Sequence, residues 1–198
     1  MIPDLLLKAL IAFLPVLALV IVLYRVESHK LLSTGFIGSM FLAGIAVAVG
    51  CSLINSYVLE STSIQFTYFT RYIAPLIEEA LKASIVILLF RTNRIGFLVD
   101  AGIIGFTVGA GFSLAENIYY LSHASDAHYA VWLVRGFGTA IMHGGATALF
   151  AIISELMTER HLKMNPMYYV PGLVVALSLI HISEPTRPAP LSRMPSSA

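Results

Sequence analysis

The chain has 198 residues, 58% hydrophobic and 12% charged, with a formal net charge of +1 and a mean hydropathy of +0.84; this lies far from the composition of an ordinary soluble domain and marks a polytopic membrane protein. The near-zero charge, with aromatics confined to apolar runs and not interleaved with Lys and Arg, excludes a nucleic-acid partner. The single cysteine, Cys51, sits in an apolar run; it excludes an intrachain disulfide framework and a cysteine metal cluster, and reads as packing.

The first apolar stretch, LLLKALIAFLPVLALVIVLY, is about 20 residues long, enough to cross a hydrocarbon core of about 30 Å. It runs on into RVESHK without a small-residue cleavage site, so it reads as a retained first helix and not as a secretory signal. Further spans are predicted near 34–55, 71–90, 97–121 and 131–154, and a last apolar run starts near Tyr168. Lys and Arg follow the first span (Arg25, Lys30), the third (Arg91, Arg94) and the fifth (Arg160, Lys163), whereas the second and fourth loops carry neither. By the positive-inside rule the N-terminus is outside and the odd-numbered loops are cytoplasmic. Trp132, Tyr119 and Tyr120 fall where an outer aromatic belt is expected. Gly105 and Gly109 form a small-xxx-small pair, joined by Gly102 and Gly111, which predicts a central fourth span. No soluble domain, linker or internal repeat is visible, so an inverted-repeat transporter architecture finds no support. The expected fold class is all-α: a polytopic transmembrane helical bundle with five complete spans, a truncated sixth, and the N-terminus outside.

From Tyr168 the sequence reads YYVPGLVVALSLIHISEPTRPAPLSRMPSSA. About 13 apolar residues precede a Pro-, Ser- and Arg-rich end, too few for a span. Residues 177 to 187, LSLIHISEPTR, resemble the conceptual translation of a transposase adapter used in sequencing libraries. The expected organisation is therefore one transmembrane domain over 1–176, truncated at its C-terminus, followed by a non-native tail over 177–198 in which His181 is not counted as a site residue.

Charged side chains near a bilayer centre cost about 2.5 to 3.5 kcal/mol each on insertion scales, so those retained there are functional by default. Glu78, Glu79 and Lys82 lie in the third span, Glu116 and Asn117 in the fourth, and His143 in the fifth. At 1.5 Å per residue Glu78 lies roughly 10 Å below Arg71, Glu116 roughly 9 Å from Ser122 and His143 roughly 17 Å below Trp132, depths at which three helices can bring these groups together. Adjacent Glu78 and Glu79 project about 100° apart, so one is expected to work while the other orients it, unless Pro75 distorts the helix. Lys82 stands at ion-pairing distance in sequence from both. Phe112 with Glu116, and His143 with Thr147, are i, i+4 pairs that place the polar groups on definable stripes. The loop histidines His123 and His128 read as solvated, and Ser84 and Ser113 as packing hydroxyls.

Four chemistries use such a set. A structural ion-pair network accounts for Glu78 with Lys82 but leaves Glu116 and His143 as surplus cost. A polytopic transporter or proton relay would employ the same Glu, His and Lys residues. A metal site could draw on Glu116, His143 and one of the paired glutamates, although no H-E-x-x-H places two ligands on one face. Hydrolysis needs a carboxylate base to take a proton from water, and donors for the developing oxyanion; Glu supplies the first and His, Asn or Lys the second.

The residues then carry a resemblance. EEALK (Glu78, Glu79, Lys82) resembles the EExxK motif of the PrsW-type glutamic intramembrane proteases, FSLAEN (Phe112, Glu116, Asn117) resembles their FxxxEN, and HGGAT (His143) their histidine-bearing third motif, over roughly residues 65 to 155. That group is similar to the CAAX prenyl endopeptidase and bacteriocin-processing proteins, in which paired glutamates and intramembrane histidines act on a water. The resemblance implies a membrane-embedded glutamic protease domain over 1–176, in a prokaryotic cell membrane, cleaving membrane-anchored proteins or peptides. An anti-sigma factor in regulated proteolysis is one such substrate. It also implies a mechanism: Glu78 or Glu79 as general base on a water, His143 and Asn117 stabilising the oxyanion or assisting the leaving amine, Glu116 holding the water or sharing a proton, and Lys82 pairing and tuning. The scheme requires no cofactor, and metal dependence stays open. Relatives carry further helices and, in the wider group, a final polar motif, which would lie beyond the apparent break and leaves the activity of the chain as written open.

Overall fold

The computed structural model describes residues 2–26, 32–123, 128–159 and 165–183. These form helices α1 (Ile2–Val26), α2 (Thr34–Ser61), α3 (Phe66–Tyr68), α4 (Ala74–Arg91), α5 (Leu98–His123), α6 (Tyr129–Glu159) and α7 (Val170–Ser183), with a π-helical turn at Phe69–Ile73 and a 3₁₀ turn at Pro166–Tyr169. The all-α class is as expected. By length and composition α1, α2, α5 and α6 can cross a membrane. Helix α4, the expected third span, has 18 residues but is set apart by the charges of Glu78, Glu79, Lys82 and Arg91. At 1.5 Å per residue the 14 residues of α7 cover about 21 Å, short of a hydrocarbon core of about 30 Å.

Local chemistry sets these boundaries. Ser33 caps α2, its Oγ accepting from the Phe36 N–H at 3.2 Å. Helix α4 ends in a Schellman turn: Asn93 takes a positive φ of 52°, and the Arg94 N–H reaches back to the Leu89 carbonyl at 2.9 Å. At the other end of α4, Pro75 has no N–H for the Arg71 carbonyl and crowds that turn. The chain accommodates it by widening the preceding turn, where the Ala74 N–H bonds to the Phe69 carbonyl five residues back. The distortion expected at Pro75 is thus real, and it makes one helical run from Phe66 to Arg91.

Helix α5 is the hub of the bundle, packing on α1, α2, α4 and α6. Its glycines allow this. A Cβ on Gly109 would run into the His143 carbonyl of α6, and one on Gly111 into the Phe41 carbonyl of α2, while Gly44 of α2 meets the Val108 carbonyl in return. The small-residue stripe therefore does what the sequence suggested, and it draws the α6 backbone at His143 against α5. Helix α7 lies on α4 and α6, with Ala176 and Ile180 buried. It passes without interruption through the 176–177 position where the sequence suggests a junction. Lys30, Arg160, Lys163 and residues 184–198 lie outside the described residues.

Two surface expectations resolve differently. Tyr119 is exposed, but Trp132, placed by the sequence in an outer aromatic belt, is only 1% exposed. It turns inward beside Ala12 and Leu121 in a small apolar corner. Cys51 is buried and unpaired with another cysteine, and His123 and His128 are exposed.

Candidate active site

Three helices supply one connected polar chain. From α4, the Lys82 ammonium pairs with Glu79 Oε1 one turn earlier. The same Nζ lies 3.0 Å from Nδ1 of His143 on α6. The other ring nitrogen, Nε2, stands 3.1 Å from Oε2 of Glu116 on α5. An ammonium can only donate, so Nδ1 must accept, which leaves the neutral imidazole with its proton on Nε2 and directs that proton to the Glu116 carboxylate. The order is carboxylate, ammonium, imidazole, carboxylate, with the direction of every hydrogen bond fixed by Lys82.

Burial gives this chain an inside and an outside. Glu79 is 2% exposed, and Lys82 and His143 are fully buried. The Phe112 ring lies against both, 4.3 Å from Lys82 Nζ and 4.9 Å from the imidazole centroid. The Glu116 side chain retains 13% exposure, and that of Arg135, whose Nη2 stands 3.9 Å from Glu116 Oε1, retains 23%. The chain is therefore sealed at the Glu79 end and partly exposed at the Glu116 end.

Not all expected residues join. Glu78 is buried but lies a step round α4 from Glu79, within electrostatic reach of Cys51 on α2. Asn117 is buried and points elsewhere: its Nδ2 donates to the Ala12 carbonyl at 3.4 Å, and its Oδ1 accepts from Thr139 Oγ1 at 3.3 Å. It ties α5 to α1 and α6, and Ser113 joins the same knot through Thr139 at 2.7 Å. Sequence reasoning did not single out Arg135 or Thr139. Their signal was a four-residue spacing on α6, where Arg135, Thr139, His143 and Thr147 form one polar stripe through the apolar stretch that ends before Ser154.

A family model described as PrsW family intramembrane metalloprotease matches residues 27–182. The chain belongs to the PrsW family. It carries an intramembrane protease domain, and with its apolar helices it is an integral membrane protein. No curated protein and no solved structure matches the chain. The description of the PrsW family implies a metal, and the donor set can be tested for one. Both imidazole nitrogens of His143 are engaged, Nε2 by Glu116 and Nδ1 by an ammonium, so the two carboxylates flank opposite edges of the ring. A cation between Glu79 and His143 would stand where Lys82 Nζ stands. Among the described residues no group of three or more His, Cys, Asp and Glu side chains is disposed to hold an ion. As arranged, the residues of this PrsW chain do not fit a metal centre.

Proposed function

We propose that the chain is an intramembrane endopeptidase that hydrolyses peptide bonds of membrane-associated proteins with a glutamate-activated water. The observation that carries this reading is the hydrogen-bonded chain from Glu79 through Lys82 and His143 to Glu116, closed at one end and partly exposed at the other. The base is then Glu116 and not one of the paired glutamates: Glu79 is committed to Lys82, whereas Glu116 has an accessible edge. Glu116 takes a proton from water as the water oxygen bonds to the scissile carbonyl carbon and the C=O π pair moves onto oxygen. When the tetrahedral species collapses, the C–N bond breaks and the leaving amine takes the proton back from Glu116. His143, held in its Nε2–H form by Lys82, orients the Glu116 carboxylate through both steps. With the N-terminus outside, the site lies in the outer half of the membrane. Membrane-anchored proteins, an anti-sigma factor in regulated proteolysis among them, are the substrates this reading implies.

The test is reconstitution in vesicles with single-span substrates. Wild type is expected to cleave, with and without excess chelator, and Glu116→Gln to lose roughly 10²–10⁴-fold in rate with unchanged thermal unfolding. Ion-dependent uptake without proteolysis would replace this reading with a transporter.

A further inference from the structure

Arg135 stands at the open end of the site in an unusual state. Its guanidinium lies over the Tyr120 ring, with Cζ 3.7 Å from the ring centroid, a contact that restrains where the fork can sit. Its Nη2 is 3.9 Å from Glu116 Oε1, close enough for charge attraction but too far for a hydrogen bond. Both Nε and Nη2 are buried and make no hydrogen bond. Buried donors left unused are rare in native proteins, and where they occur they mark a partner still to come or a reacting group. These two nitrogens share one edge of the planar group, the edge that forms paired bonds to oxygen.

Resting on the protease reading, we propose that Arg135 is a catalytic residue of the same site, with the Nε/Nη2 edge receiving the oxyanion that forms as water adds to the scissile carbonyl. The two halves of the reaction then sit side by side on α5 and α6. Glu116 takes the proton from the attacking water, and the electron pair displaced from the C=O bond gathers on an oxygen facing the guanidinium. The arrangement suits a developing anion better than a neutral carbonyl, because the donors are fixed in place before the charge appears. Of the two oxyanion donors expected, Asn117 is occupied by Ala12 and Thr139 and His143 by Lys82 and Glu116, which leaves this role open.

The test compares wild type, Glu116→Gln, Arg135→Gln and Arg135→Lys in the same vesicles with one single-span substrate, after thermal unfolding of each has been recorded. Arg135→Gln is expected to lower kcat about 10²-fold with KM changed less than about threefold, and to weaken a tetrahedral phosphinate analogue of the substrate by at least about tenfold. Arg135→Lys, a point charge without the fork, is expected to fall between. If Arg135→Gln does not fold, Arg135→Lys decides: a kcat reduced at least about tenfold supports the proposal, and an unchanged kcat overturns it. With Glu116→Gln inactive, a loss confined to KM in Arg135→Gln, or none, overturns the role of Arg135 and leaves the protease standing. Full cleavage by Glu116→Gln overturns both.

Discussion

Replacing His143 with alanine is expected to abolish measurable proteolysis, a loss of roughly 10²–10⁴-fold, because the imidazole is the link through which α4 acts on α5. Without it Glu116 loses the donor 3.1 Å away and Lys82 loses its acceptor at 3.0 Å. The buried Lys82 is then left short of a partner, at about 1–3 kcal/mol, so folding must be followed alongside cleavage. His143→Gln separates the effects. Its amide nitrogen can reach toward Glu116 as Nε2 does, and it is expected to fold nearly as well as wild type while remaining at least about tenfold slower. Substrate cleavage and unfolding temperature in detergent, measured on the same preparations, check this; a His143→Gln protein as stable as wild type and as fast would assign the imidazole to packing.

The second large effect concerns Lys82. Lys82→Met leaves Glu79 as a fully enclosed carboxylate without its cation, and breaking a buried pair in this way costs about 3–5 kcal/mol. Denaturation should show that loss directly. Removing both charges in Lys82→Met with Glu79→Gln is expected to recover most of the stability, since a neutral pair in the same space carries no uncompensated charge. Activity should not recover with it. Nothing then fixes Nδ1 of His143 as an acceptor, so the Nε2 proton that holds Glu116 is no longer guaranteed, and cleavage should stay at least about tenfold below wild type. A double variant with the wild-type rate would make the ion pair purely structural.

Several elements of this site were legible before the fold was known, because helix geometry is nearly fixed. The three-residue interval between Glu79 and Lys82 specifies a pair on any α-helix, and depth counting along three spans placed Glu78, Glu116 and His143 in the same half of the membrane, within reach of one another. The glycines at 105, 109 and 111 announced the close crossings that make α5 central. What was misplaced came from rotation about the helix axis. Neighbouring residues diverge by about 100°; that reasoning separated Glu78 from Glu79, and it applies equally to Glu116 and Asn117, of which only the first faces His143. Arg135 was hidden differently. It sits inside an apolar run, where its charge contributes to no loop count, and only the spacing 135, 139, 143, 147 connects it to the histidine. Trp132 reads as a lipid-facing belt residue by position, but Ala12 and Leu121 leave a corner that its large ring fills from within.

The most direct test of the central claim is the single-turnover cleavage rate of Glu116→Gln set beside that of Glu78→Gln, in the same vesicles and with the same single-span substrate. If water is activated at the open end of the Glu79–Lys82–His143–Glu116 chain, Glu116→Gln falls at least about 10²-fold while Glu78→Gln stays within about tenfold of wild type. An unimpaired Glu116→Gln beside an inactive Glu78→Gln would contradict the account and return the base to the paired glutamates.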